Sequence, residues 1–164
     1  TVLSNGFSAL APWRIELYSC PPPDNIPQDW QRHLLVHELR HSVQLNHLNQ
    51  GLTRVNRFLF GEAGWGISAA GLPLWYLEGD AVYTETNLLG TGRGSTASFL
   101  KGFKAITLEP PGPYTYQKAY FGSFKDFVPD HYQLGYYMVS HVNRIMGKTP
   151  GIRWLGTWEN IPFP

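Results

Sequence analysis

Between Trp13 and Cys20 the sequence WRIELYSC alternates, placing Ile15 and Leu17 on one face with the period of a short strand. The PPPDNIP stretch that follows forbids regular structure as far as Pro27. From Asp29 to about Leu48 no Gly or Pro interrupts the chain, and Trp30, Leu34, Leu45 and Leu48 fit a helix with Asp29 as N-cap and Gly51 as its end. A second helix is predicted from Pro73, a favoured first-turn residue, through LWYLEGDAVYTETNLL to a stop at Gly90. Its apolar face carries Leu74, Leu77, Ala81 and Leu88, and the same spacing turns Glu78 and Glu85 onto that face. Further helices are predicted over STASFLKGF and, capped by Asp130 and stopped by Gly147, over HYQLGYYMVSHVNRIM. The pattern is that of an α+β chain, mostly helical with little strand.

Composition narrows the class. A chain of 164 residues, 43% hydrophobic and 15% aromatic, can bury one sizeable core, so residues 1–164 are expected to form a single domain. A net charge of +1 without a run of like charges gives no electrostatic footprint for nucleic acid and no polybasic membrane patch. No apolar run approaches the roughly 20 residues of a membrane helix, so membrane insertion is not expected, and the sequence contains no signal peptide. Cys20 is the sole cysteine, which excludes an internal disulfide and a multi-cysteine zinc knuckle and favours a structural role over a nucleophilic one. The start at Thr1 without a methionine reads as that of a processed product or an excised fragment, and the end of WENIPFP at Pro164 is consistent with a further domain downstream.

The candidate chemistry lies between His33 and His47, HLLVHELRHSVQLNH, which holds four of the six histidines. His37-Glu38-Leu39-Arg40-His41 is an H-E-x-x-H pattern inside a predicted helix. Residues four apart lie about 40° apart around a helix and about 6 Å along it, so both imidazoles can reach one ion at roughly 2.0–2.1 Å. Glu38, beside the first ligand, is placed to take a proton from an attacking water and not to bind the ion. The competing reading is chance, since exposed His and Glu on a helix need no metal; helical context and an inward-facing Glu78 weigh against it.

Three residues compete for the third ligand position. His33 extends the stripe to His33, His37, His41, but its ends are about 12 Å apart on a helix, too far for one ion. His47 reproduces the metzincin spacing H-E-x-x-H-x-x-G-x-x-H, yet Gln44 stands where that pattern has its helix-breaking glycine. If the helix continues, His47 lies about 15 Å from His37. Met138 also falls within a predicted helix and not in a turn. Glu78 is preferred, because an ionised carboxylate on a buried face is costly unless paired or metal-bound; a salt bridge to an arginine is the alternative. Two His and one Glu leave a fourth tetrahedral position for water, the arrangement of a catalytic site.

At these residues the chain resembles the gluzincin branch of zinc metallopeptidases. His37-Glu38-x-x-His41 matches its first pattern, and Trp75-Tyr76-Leu77-Glu78-Gly79-Asp80-Ala81 matches the second, an aromatic-rich helix start followed by Glu-Gly-x-Ala. The resemblance implies a zincin-like fold with a small twisted sheet over the active-site helix. It also implies Zn2+ held by His37, His41 and Glu78, and hydrolysis of peptide or protein substrates with Glu38 as general base. The span from His41 to Glu78 is longer than in many gluzincins. The segments DWQRHLLVHELRHSVQ, LEGDAVYTETNLLGTGRG and FVPDHYQLGYYMVS are similar to uncharacterised exported bacterial proteins in which such a domain precedes a Tol-type β-propeller. That similarity implies a periplasmic or cell-envelope location and a C-terminal propeller in the full-length chain. The rival expectation is a non-catalytic zincin-fold docking module in an envelope assembly, against which stands Glu38, a residue no structural site requires.

Supporting roles remain open at this level. A tetrahedral oxyanion needs a second donor, and the helix after Asp130 offers Tyr132 and Tyr136 on one face, with His131 a third option and core packing the competing role of each. Gly135 between them permits close approach to another element. Ligand histidines donate their second N–H to a carboxylate or carbonyl, for which Asp80 and Glu85 are candidates. Arg93 in GTGRG is placed to pair with Glu85 or with a substrate carboxylate; the run follows a helix and lacks the phosphate-loop lysine, so it is no nucleotide cradle. The zincin resemblance further casts WRIELYS as an edge strand holding an extended peptide.

Overall fold

A computed structural model describes residues 6–10, 13–18, 20, 29–109 and 114–146. The PPPDNIP stretch, the Gly147 stop and the WENIPFP end lie outside the described residues. Strands β1 (Gly6–Leu10) and β2 (Trp13–Leu17) are followed by helices α1 (Trp30–His47), α2 (Gly51–Ala70) and α3 (Leu74–Leu89), a 3-10 turn at Arg93–Ser95, then α4 (Ala97–Leu108), α5 (Tyr116–Phe121) and α6 (His131–Met146). The result is a mostly helical α+β structure with one small sheet.

The sheet is an antiparallel pair in which Gly6 faces Leu17 and Ser8 faces Ile15. Strand β2 is where alternation predicts it; β1, GFSAL, lacks that signal and becomes a strand by pairing with β2. The pair lies on α1, close enough at Gly6 that a Cβ there would meet Cγ of Glu38 at 2.6 Å.

Asp29 caps α1 by accepting from the Arg32 N–H at 3.3 Å, and the helix runs unbroken through Gln44 to His47. Gly51, expected to end it, instead opens α2 with φ +51°, a conformation that favours glycine. Helix α2 is a correction to the sequence reading, because glycines at 61, 64 and 66 weaken its helical signal. Gly61 (φ +62°) divides it into two halves that fold together at Gly64, where a Cβ would overlap the Asn56 carbonyl. Trp65, fully buried, ties it to α1 through an indole N–H donated to the Leu45 carbonyl at 3.1 Å, with the Arg57 guanidinium stacked on its ring.

The core is the α3–α6 pair, with Tyr76, Ala81 and Val82 from one helix and Leu134 and Val139 from the other. The two backbones touch at Gly79 and Gly135: a Cβ on Gly135 would overlap the Trp75 carbonyl, and one on Gly79 would overlap Gly135. Helix α3 also packs on α1, so it is buried on two sides. Ala81 and Glu85 are buried as expected, but the face otherwise differs from the expected apolar stripe, with Leu74 and Leu88 exposed and Asp80 and Val82 buried. Gly90 closes it in the left-handed conformation, φ +69°. In α6, Asp130 accepts from the Gln133 N–H at 3.1 Å as the predicted cap. The short α5, capped by Thr115, has no counterpart in the sequence reading. Among the described residues no helix is long and apolar enough to cross a membrane.

Candidate metal centre

Helix α1 presents His37 and His41 one turn apart, and α3, packed across it, presents Glu78 to the same point. His37 Nε2 lies 3.0 Å from Glu78 Oε2 and 3.2 Å from His41 Nε2, and His41 Nε2 lies 3.4 Å from Glu78 Oε2. An ion held tetrahedrally at 2.0–2.1 Å would separate its donor atoms by roughly 3.3 Å, so the triangle has the dimensions of a metal site. His37, His41 and Glu78 could therefore hold a metal ion.

The outward side of each imidazole decides what its inward side offers. His37 Nδ1 is 3.0 Å from Glu85 Oε2, whose two oxygens also take hydrogen bonds from Arg93 Nε (2.9 Å) and Nη2 (3.0 Å). Arg93 Nη2 also lies 2.7 Å from His37 Nδ1, so that this nitrogen has a donor as well as a carboxylate beside it. His41 Nδ1 is 2.9 Å from Gln44 Oε1. In the tautomer with Nδ1–H donated outward, each neutral imidazole would turn its Nε2 lone pair toward the Glu78 carboxylate, so that three acceptors would converge. A cation resolves that repulsion; without one, a proton must.

The electrostatics agree. Burial pushes Glu78 upward, but hydrogen bonds and charge from His37 and His41 outweigh it and hold the carboxyl well below the usual range. Burial likewise opposes ionisation of Glu85, and His37 and Arg93 bring it down to about 2. For His41, burial lowers the pKa, but Glu78 and then Gln44 reverse this and raise it above its ordinary value.

A cleft of about 330 Å³ opens over the triangle, lined by Gly6, Phe7 and Ser8 of β1, by Gln44, Leu45 and Leu77, and by Glu38 and Tyr132 besides the three candidate ligands. Glu38 is buried, and the Ser8 hydroxyl lies 2.8 Å from its Oε2 and 2.9 Å from its backbone carbonyl. Tyr132 sits beside His37 with ring centroids 6.2 Å apart, under the Arg93 guanidinium at 5.2 Å. Burial, then the charge of Glu78, push its hydroxyl up to about 12. Tyr136 does not line the cleft: its ring lies on the Gly94 backbone, where a Cβ would overlap it, and meets Phe99 edge-on. His131 stacks on Tyr132 outside the lining.

The two other histidines of the His33–His47 stretch stay apart from the triangle. His33 turns toward the Asp29 and Thr91 carbonyls, at 2.8 and 2.9 Å, and His47 ends α1. Glu85 takes the expected place behind His37, with Arg93 paired to it. Asp80 does not reach a ligand directly; it receives Arg40 (2.7 and 3.1 Å) and Gln44 (2.7 Å). Cys20 is exposed. Gln44 and Ser8 went unassigned from sequence. The signal for Gln44 was its spacing, three residues from His41 and seven from His37 on the same helix face; Ser8 had none.

No protein-family model matches the chain, and no curated protein or solved structure shows significant similarity to it.

Proposed function

We propose that this chain is a zinc metallopeptidase of gluzincin type with a zincin-like fold, an endopeptidase acting on peptides or proteins at the cleft above His37, His41 and Glu78. The observation that carries the reading is the convergence of three acceptor atoms at 3.0, 3.2 and 3.4 Å, each imidazole oriented from behind. A donor set of two imidazoles and one carboxylate suits zinc and leaves one position open. When bound there, zinc supplies a Lewis acid for the scissile carbonyl and makes water a competent nucleophile at neutral pH.

The remaining steps belong to side chains. Glu38 neighbours the ligands without joining them; Ser8 holds its Oε2, which leaves Oε1 to accept a proton from the attacking water and pass it to the leaving amine. Tyr132, whose raised pKa keeps its hydroxyl protonated at neutral pH, supplies the second oxyanion donor. Tyr136 serves packing. Strand β1, which lines the cleft through Gly6–Ser8 and among the described residues pairs only with β2, takes the substrate-holding role that the sequence reading gave to WRIELYS. An exported, cell-envelope setting and a C-terminal propeller remain part of the proposal through sequence resemblance alone.

The test is cleavage of a broad peptide library by the zinc-loaded chain and by Glu38→Gln. The expected result is activity that falls by at least about 100-fold in the variant while zinc stays bound. Zinc bound without cleavage by either form would favour the docking-module reading.

A further inference from the structure

The geometry points to Gln44 as the positioning residue of this centre, setting the tautomer of His41 and the register of the two helices that carry the ligands. The inference rests on the metal reading above, but not on peptidase activity. Gln44 is fully buried, and its amide nitrogen lies 2.9 Å from the Leu77 carbonyl and 2.7 Å from Asp80 Oδ2. Both partners are acceptors only, so both amide protons are used and the side chain has one orientation; a flip would set Oε1 against a carbonyl and a carboxylate. Oε1 is thereby fixed 2.9 Å from His41 Nδ1, which must donate, so the neutral ring offers its Nε2 lone pair to the triangle.

The same side chain reaches the second ligand-bearing helix. The Leu77 carbonyl belongs to the peptide bond leading into Glu78, so its hydrogen bond fixes α3 one residue before the carboxylate ligand. Asp80 is itself clamped by Arg40, the neighbour of His41 on α1. Arg40, Asp80 and Gln44 thus form a closed link from α1 to α3 and back. It ties the segments that carry His41 and Glu78 together, while the Glu85–Arg93 pair stands behind His37.

The experiment compares the parent chain with Gln44→Met, similar in length but unable to make these hydrogen bonds, using Zn2+ affinity by chelator competition and the visible spectrum at saturating Co2+. The expected result is zinc binding weaker by about 10- to 100-fold and a changed cobalt spectrum, which reads ligand geometry in the loaded, folded chain. Zinc affinity within about twofold of the parent together with an unchanged spectrum would overturn the proposal. A measurement without substitution guards against a variant that does not fold: nitrogen-15 NMR of the zinc-loaded parent should show a proton on His41 Nδ1, and its absence there overturns the assignment. A parent chain that binds neither metal overturns the metal reading itself, and the inference with it.

Discussion

Single side chains decide whether the triangle of acceptors works as a metal site. Glu85 stands 3.0 Å behind His37 Nδ1 as its acceptor in the metal reading, so Glu85→Gln is expected to weaken zinc binding by about 10- to 100-fold in the same chelator competition. Its acid behaviour follows from the direction of its shift. The folded-state pKa, about 2, lies below the ordinary 4.5, so its stabilising contribution is present above pH 4.5 and lost as pH falls toward 2. Melting temperatures of the metal-free chain should fall across that window, less steeply in Glu85→Gln. His41 shifts the opposite way: its folded-state pKa is raised, so its contribution in the metal-free chain is present below its ordinary 6.5 and lost as pH rises through the raised value. A metal ion bound through His41 would have to displace any such proton. Calorimetry near pH 6.5 in buffers of different ionisation enthalpy should therefore report release of up to about one proton per zinc bound.

At the scale of elements, backbone contact between α3 and α6 constrains the helix that delivers Glu78. Gly135→Ala would drive a methyl into the Trp75 carbonyl and is expected to destabilise by about 3 kcal/mol, read as a lower melting temperature. Gly66, in α2, has no atom within 4 Å of its would-be Cβ, so Gly66→Ala should gain up to about 1 kcal/mol from helix propensity alone. Equal losses at both positions would contradict the packing described. The same contrast shows what could be read in advance. Helices α1 and α6 carry N-caps and α3 a glycine stop, and H-E-x-x-H and Glu-Gly-x-Ala fall within α1 and α3, so the ligand candidates were legible. Strand β1 and helix α2 were not: one depends on pairing with β2, the other on burying Trp65 against α1 despite its glycines.

For the whole molecule, the sequence could place Glu78 on an inward face but could not say which helix that face meets. The docking of α1 on α3 supplies the answer, and it rests on polar contacts with no periodic signature: Arg40 to Asp80, Gln44 to Asp80 and Leu77, His37 to Glu85. Gln44, from sequence only the residue that stands where another family has a glycine, lies at their centre. The same docking separates His47 from the site by leaving α1 continuous. The most direct test is therefore the zinc content of purified parent, His47→Ala and Glu78→Ala chains after dialysis against a weak chelator. The expected result is one zinc per chain in the parent and in His47→Ala, and loss of zinc in Glu78→Ala; zinc retained without Glu78 but lost without His47, or absent from the parent, would contradict the assignment.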